Sequence, residues 1–235
     1  MYKTEGPVRY SECGPDNQMK LSACINYFQD CTTENSETIG VGHDYLVAKK
    51  RAWILNSWNV EFYRRPEAGE HIEVGTWATG FRGVFGPRDF VMKTKEGEVL
   101  VQAASLWVYV DTETGRPVKP TEEDISVYEV GEPILAEPIS RKINRPIDTV
   151  KVDTFPVHKY HIDTNKHVNN SKYVEIACEV LPDSFEVKKM RVEYKKAAVL
   201  GDTIVLKKVV TEEKIIAELC DEEDNIFAIV EFIGE

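Results

Sequence analysis

Apolar positions along the chain alternate between a helical spacing and strand-like runs, and they do so twice in the same order. The two helical stretches read "NQMKLSACINYFQDC" and "NNSKYVEIACEVLP". Residues three and four apart share one side of a helix. The apolar residues at this spacing are Leu21, Cys24, Ile25 and Phe28 in the first stretch and Tyr173, Ile176, Ala177 and Val180 in the second. Each pattern predicts a helix with one buried face, and Pro182 is expected to end the second helix.

A strand-rich segment follows each predicted helix. The stretches "VEFYRRPEAGEHI", from residue 60, and "VEYKKAAVLGDTI", from residue 192, align without a gap at a spacing of 132 residues. In both, a glycine followed by an acid precedes an alternating apolar run, which predicts a hairpin joining two strands. Later in the first half, the uncharged run from Val99 to Val110 spans 12 residues. It is too short for a membrane helix and predicts a buried strand.

The repeat predicts an α+β protein of two similar halves, each a helix followed by an antiparallel meander. We expect an N-terminal domain at 1–129, a linker at 130–150 and a C-terminal domain at 151–235. The linker assignment depends on Pro133, Pro138 and Pro146, which favour an extended surface segment.

The charge balance argues against two classes of partner. The net charge of −11 is unfavourable for broad nucleic-acid binding and for docking on anionic membranes. One stretch, "KKMRVEYKK", is locally basic. Its basic residues, Lys188, Lys189, Arg191, Lys195 and Lys196, are candidates for docking an acidic partner, although a solvated strand end explains them equally well.

The N-terminal and cysteine patterns favour a cytoplasmic protein. The first ten residues, "MYKTEGPVRY", contain no apolar signal-peptide core. The 5 cysteines lack CxxC spacing, so we expect reduced thiols, most of them in the core.

The segment "HIDTNKHVNN" is the strongest candidate for chemistry. If it is extended, Asp163, Asn165 and His167 project to one side, and they supply a base or nucleophile, an amide and an imidazole. Asn169 and Asn170 then cap a helix beginning near Ser171, whose free N–H groups suit an oxyanion. The structural alternative is an Asx turn at Asp163 and Asn165, with His167 hydrogen-bonded at the helix start.

Three longer segments resemble the fatty acyl-acyl carrier protein (acyl-ACP) thioesterases of plants and bacteria. They are "HIDTNKHVNNSKYVE", "AWILNSWNVEFYRRPEAGEHIEVGTWATGFRGVFGPRDFVM" and "ASLWVYVDTETGRPVKP". The resemblance implies a tandem, or double, hotdog fold, in which each half is a long helix wrapped by an antiparallel sheet. It also implies hydrolysis of fatty acyl-ACP to free fatty acid and holo-ACP, with Asp163, Asn165 and His167 at the catalytic positions and no cofactor. A homodimer is also expected, because hotdog proteins commonly associate.

One departure from the family concerns the segment "EYKKAA". Plant members carry a Glu-Cys pair where this chain has Ala197 and Ala198. A cysteine nucleophile from that position is therefore excluded, and Asp163 alone is expected to supply the carboxylate. Glu175 and Glu193 are auxiliary acids that could replace the missing one.

The first half lacks the polar trio. Its helix is preceded by Pro15, Asp16, Asn17 and Met19, and Leu21 lies about where His167 should be. This half is therefore expected to hold the acyl chain, with Phe28, Trp53 and Trp58 lining the pocket. The alternative for these three aromatic residues is ordinary core packing.

Other assignments compete with acyl-ACP hydrolysis. His158 and His161 point to opposite faces if they lie on a strand, which argues against a metal site with His167. An acyl-CoA thioesterase and a catalytically inactive acyl-binding protein stay open, and the second is favoured by Ala197 and Ala198. A hotdog hydratase would need an Asp/His arrangement that the chain lacks.

Overall fold

The structure, a computed structural model, describes residues 1–135 and 140–235. The chain divides into two compact units, Met1–Ile139 and Ser140–Glu235. The predicted linker, 130–150, covers the end of the first unit and the beginning of the second, and Pro138 lies outside the described residues. Within the described ranges, no helix has the length and apolar character needed to cross a membrane.

The first unit is a five-stranded antiparallel sheet with one long helix. Its elements are β1 (Tyr2–Pro7), α1 (Leu21–Thr38), α2 (His43–Ala48), β2 (Arg51–Phe62), β3 (His71–Ala78), β4 (Phe85–Thr94), β5 (Val99–Asp111) and α3 (Glu122–Ile125). The strand order is β1-β3-β4-β5-β2. Helix α1 packs on β3 and β1 and buries the face that contains Leu21, Cys24, Ile25 and Phe28. The predicted first helix and the strand at Val99 are therefore confirmed.

The second unit repeats this topology with a shorter helix. Its elements are β6 (Val150–Pro156), α4 (Asn170–Cys178), β7 (Val187–Tyr194), β8 (Thr203–Val210), β9 (Lys214–Cys220) and β10 (Ile226–Gly234). The strand order is β6-β8-β9-β10-β7, and every pair is antiparallel. Helix α4 contacts β9 and β10. Both units are α+β, and the order of elements confirms the internal repeat.

The predicted hairpins at Gly69 and Gly201 are wrong. The two glycines do form turns, with φ of 83° and 95°, a region that glycine enters without a Cβ clash. However, β2 pairs with β5, while β3 lies between β1 and β4. In the same way, β7 pairs with β10, and β8 lies between β6 and β9. Each turn therefore belongs to a crossover connection, because the strands on either side of it pair elsewhere.

The second part of the predicted linker packs tightly on the second unit. Ile143 is buried against Ile216 and Ile229, and its N–H donates to Glu193 at 2.8 Å. Arg145 binds the buried Glu218 with two hydrogen bonds of 2.8 and 3.0 Å. These contacts fix residues 143–145 along the sheet.

A buried carboxyl group in the first unit makes stability depend on pH. Asp89 on β4 is buried and accepts a 2.7 Å hydrogen bond from the N–H of Ile134. Burial nevertheless raises the pKa of Asp89 to about 6, because desolvation disfavours the charged form. The folded protein therefore holds this proton more tightly than the unfolded chain does. Its stability falls as the pH rises from about 4, the unfolded pKa, through about 6.

We expect Asp89→Asn to remove this loss of stability, since asparagine can still accept from Ile134. At pH 7.5 the variant should unfold with a free energy about 1–3 kcal/mol higher than that of the parent. At pH 4 the two should agree. Urea titrations of both proteins between pH 4 and 7.5 measure the difference, and a difference that does not change with pH would contradict the assignment.

Candidate functional site

The polar segment after β6 forms a tight turn instead of a strand. The N–H of Asp163 donates to the carbonyl of His167 at 2.8 Å, and that of Lys166 donates to the carbonyl of Asp163 at 3.1 Å. Lys166 has a φ of 64°, a left-handed conformation that reverses the chain. The prediction that Asp163, Asn165 and His167 lie on an extended segment is therefore wrong, because the three residues lie in a turn.

Asp163 organises this turn with its side chain. Its Oδ1 accepts from the N–H of Asn165 at 2.8 Å and from that of His167 at 3.4 Å. These bonds make an Asx turn, the structural alternative considered for Asp163. Among the described residues, none donates a hydrogen bond to Oδ2. Asp163 is half-buried, whereas the Asn165 and His167 side chains are exposed.

The turn leads directly into helix α4 through a side-chain cap. Asn169 is the N-cap, and its Oδ1 accepts from both the N–H and the hydroxyl of Ser171 at 2.9 Å. The predicted cap is confirmed for Asn169, whereas Asn170 is the first residue of the helix. The dipole of the helix places a partial positive charge at this end, which favours an anion.

Two tyrosines and a backbone bond hold the turn in place. Val168 donates its N–H to the carbonyl of Ala198 at 2.9 Å, and the N–H of Ala198 donates to the Tyr173 hydroxyl at 2.8 Å. The Tyr194 hydroxyl donates to the carbonyl of Asn170 at 3.0 Å. Burial raises the pKa of Tyr173 to about 12. The sequence identified Tyr173 only as part of an apolar helical face, and it did not reveal the hydrogen bond between its hydroxyl and Ala198.

The auxiliary acids make local contacts. Glu175 on α4 pairs with Lys172 at 2.6 Å. Glu193 on β7 is buried and binds the N–H of Ile143 and the ammonium of Lys195, at 2.8 and 3.4 Å. Ala198 is fully buried and Ala197 is exposed. No described hydrogen bond connects either acid to the trio.

The three aromatic residues proposed for the acyl-chain pocket lie in the first unit. Phe28 and Trp58 are buried, with ring centroids 5.9 Å apart, and both lie 5.0 Å from Phe90. Trp53 is half-buried and lies 4.7 Å from the Tyr109 ring. Their mutual packing agrees with the core alternative, and the acyl-chain role stays a prediction.

Acids neutralise much of the basic stretch on and after β7. Arg191 binds the buried Glu231 at 3.1 Å, and Lys188 pairs with Glu186. Lys196 lies 3.5 Å from Asp221. Lys189 shares the strand with Lys188 and Arg191. The docking role of this surface stays a prediction.

The first unit contains an equivalent turn without the trio. The N–H of Gly14 donates to the carbonyl of Gln18 at 2.8 Å, as the N–H of Asp163 does to the carbonyl of His167. Asn17, like Lys166, has positive φ, at 63°. The alignment of Leu21 with His167 is therefore wrong, and Gln18 holds that position. Leu21 and His167 are 146 residues apart, three fewer than the 149 residues that relate the two turns.

A metal would need ligand groups that are free to bind it. Within the described ranges, one compact group of ligand-type side chains occurs, namely Glu218, Cys220 and Asp224. Arg145 and Lys207 already pair with both carboxylates. This group is therefore an ion-pair cluster, and its charge is balanced by protein cations.

Family models match both units. The acyl-ACP thioesterase N-terminal domain matches residues 1–128, and the acyl-ACP thioesterase C-terminal domain matches residues 144–229. A dodecanoyl-[acyl-carrier-protein] hydrolase from Cinnamomum camphora is 30% identical over 84% of this chain and 56% of its own length. A palmitoyl-acyl carrier protein thioesterase from Arabidopsis thaliana is 28% identical over 83% of this chain and 52% of its own. The chain thus spans about half the length of these plant relatives.

Solved structures share the fold over the whole chain. An acyl-ACP thioesterase from Bacteroides thetaiotaomicron superposes with a TM-score of 0.88 and 21% identity, covering 99% of this chain and 97% of the other. The 12:0-ACP thioesterase from Umbellularia californica gives 0.88 and 21%, covering 100% and 96%.

The N-cap of α4 can be tested against its counterpart in the first unit. We expect Asn169→Ala to lower the free energy of unfolding by about 1 kcal/mol, because the Ser171 N–H loses its acceptor. Lys20 precedes α1 at the same position without a side-chain cap, so Lys20→Ala is the control and should change stability little. Urea denaturation measures both variants, and equal losses would contradict the role of Asn169.

Proposed function

Because the chain belongs to the acyl-ACP thioesterase family, we propose that it hydrolyses fatty acyl-ACP to free fatty acid and holo-ACP. We assign the hotdog fold to each unit, which gives the tandem, or double, hotdog. The observation that supports this function best is the turn at Asp163, which sets a carboxylate, an amide and an imidazole at the beginning of α4. This turn lies within the residues that match the family's C-terminal domain.

Each group of the turn has a role in hydrolysis. Asp163 activates a water through Oδ2, or attacks the thioester itself, while its Oδ1 holds the turn. Asn165 orients the carbonyl, and the positive end of the α4 dipole, near Asn169 and Asn170, stabilises its developing negative charge. In the water route, a C–O bond forms, the C–S bond breaks, and His167 delivers a proton to the departing thiolate.

The alanines after β7 limit the mechanism. Ala197 and Ala198 carry no nucleophile and no acid, so neither a cysteine thiolate nor a carboxylate acts from these positions. Ala198 instead supplies the backbone groups that bind Val168 and Tyr173. A catalytically inactive acyl-binding protein is the second candidate, favoured by these two alanines. An acyl-CoA thioesterase differs from the main proposal only in the thiol carrier.

The partner follows from the substrate. An acyl carrier protein would approach Lys188, Lys189, Arg191, Lys195 and Lys196, where Lys188 is 40% exposed beside Glu186. The first unit would hold the acyl chain, near Phe28, Trp53 and Trp58. A homodimer and a cytoplasmic location are further parts of the proposal.

We expect Asp163→Asn and His167→Ala each to lower kcat at least about tenfold in thiol release from acyl-ACP. Asparagine retains an oxygen for the Asx turn but is no base, so the protein should stay folded. Asp16→Asn, in the equivalent turn of the first unit, is the control and should keep kcat. Near-normal turnover by Asp163→Asn would refute the role of Asp163 in activating water.

The parent protein distinguishes the three candidate functions in the same assay. Acyl-ACP and acyl-CoA with matched chains are compared by kcat/KM. Tight acyl binding without thiol release above background would support the inactive acyl-binding protein and exclude the enzyme.

We expect the double change Lys188→Glu and Lys189→Glu to raise KM for acyl-ACP, because it reverses the local charge that would attract an acidic carrier. KM for small acyl thioesters should stay the same. Lys93→Glu with Lys95→Glu in the first unit changes the net charge equally and is the control. If both substrates respond alike, or the control has the same effect, docking at β7 is excluded.

A further inference from the structure

The second unit contains a cavity that the proposed hydrolysis does not use. Its volume is about 430 Å³. Phe155, Ile176 and Leu206 contribute apolar surface, and the rings of His158, Tyr160 and His161 contribute another wall. The cavity lies between α4 and the β6–β8 edge, and none of the trio lines it. Charged side chains complete the lining, so the cavity combines apolar and polar surface, and its volume lies within the range of small-molecule sites.

The first unit has a tyrosine side chain at the equivalent position of the repeat. The turn spacing of 149 residues equates Tyr27 with Ile176 and Glu12 with His161. The Tyr27 hydroxyl donates to Glu12 Oε2 at 2.7 Å and also lies 3.4 Å from the carbonyl of Pro7. Burial raises the pKa of Tyr27, so the phenol stays protonated. The fold therefore accepts a phenol ring and its hydroxyl at this position.

The second unit lacks this phenol but has a polar group at the position equivalent to Glu12, namely His161. Ile176 is shorter than tyrosine and carries no hydroxyl. His161 is 6% exposed, and its Nδ1 accepts from the N–H of His158 at 3.1 Å. A neutral ring bound in this way carries its proton on Nε2, which can donate to a hydroxyl oxygen. Burial, His158 and Lys172 lower the pKa of His161, which favours the neutral ring.

We infer that this cavity binds a small phenolic molecule, with the ring beside Ile176, Phe155 and Leu206 and the hydroxyl at His161. The bound ring takes the place that Tyr27 occupies in the first unit. This site is separate from the turn at Asp163 and does not depend on the proposed hydrolysis.

The charges around the cavity select among phenols. Lys172 is paired with Glu175 at 2.6 Å, while Asp153 and Glu179 add two further carboxylates to the lining. Negative groups therefore outnumber positive ones. A phenol with a cationic substituent is favoured over one with a carboxylate.

Calorimetric titration of the full chain with three probes tests both features. We expect tyramine to bind with a Kd on the order of 1 mM or tighter, which is ordinary for ten non-hydrogen atoms. 2-Phenylethylamine, which lacks only the hydroxyl, should bind at least about fivefold more weakly. 4-Hydroxyphenylacetate should bind at least about tenfold more weakly. An absence of tyramine binding at about 20 mM, roughly twentyfold the expected Kd, would overturn the inference. Equal affinity for all three probes would overturn it as well.

Ile176→Tyr locates the site, because it returns to the second unit the side chain that the first unit has. We expect it to fill the cavity and weaken tyramine binding at least about tenfold. Val47→Tyr, on the exposed side of α2, adds the same ring elsewhere and should leave binding unchanged. Unchanged affinity in a folded Ile176→Tyr protein would overturn the inference.

A second measurement uses the unaltered chain, so that it does not depend on folding of the variant. Tyramine should shift the methyl resonances of Ile176 and Leu206 in a carbon–proton NMR spectrum. Shifts confined to methyl groups of the first unit would place binding elsewhere and overturn the assignment.

Discussion

The backbone bond from Val168 to the carbonyl of Ala198 fixes the candidate site to the rest of its unit. Through it, the turn at Asp163 is joined to the loop between β7 and β8, and Tyr173 closes the connection by accepting from the N–H of Ala198. The first unit makes the same bond between Met19 and Pro66, at 2.8 Å. Because backbone groups make this joint, the side chains of the turn are free to vary. One unit therefore carries Asp163, Asn165 and His167, and the other carries Gly14, Asp16 and Gln18, on the same support.

The difference between local patterns and long-range backbone pairing explains which features the sequence could predict. Helical faces and turn glycines are local patterns, so α1, α4 and the turns at Gly69 and Gly201 were found. Strand pairing is not local. Nothing in the residues around Gly69 reveals that β2 pairs with β5. The glycine–acid pattern therefore predicts a hairpin that the structure does not contain. The repeat also changes its spacing, from 149 residues at the turns to 132 at the later strands. Neither spacing relates Leu21 to His167, which are 146 residues apart.

The site was predicted in its residues but not in its geometry. Alternation at Asp163, Asn165 and His167 is equally compatible with a strand and with a turn, and the deciding feature is the left-handed conformation of Lys166, at 64°. A lysine gives no sequence signal for that conformation, unlike glycine. The hydrogen bonds made by Tyr173 and Tyr194 could not be predicted, for a different reason. A buried tyrosine matches an apolar pattern, and only the structure shows which backbone group its hydroxyl meets.

The basic stretch shows why a charge pattern alone is weak evidence for a partner. Glu193, Glu218 and Glu231 are buried on the strands of the second unit, and a buried carboxylate is costly unless cations and N–H groups meet it. Arg191 and Lys214 bind Glu231, and Arg145 binds Glu218. Part of the positive charge in "KKMRVEYKK" is therefore required by the sheet's own acids. The number of basic residues in this stretch therefore overstates the positive charge that it presents to a partner.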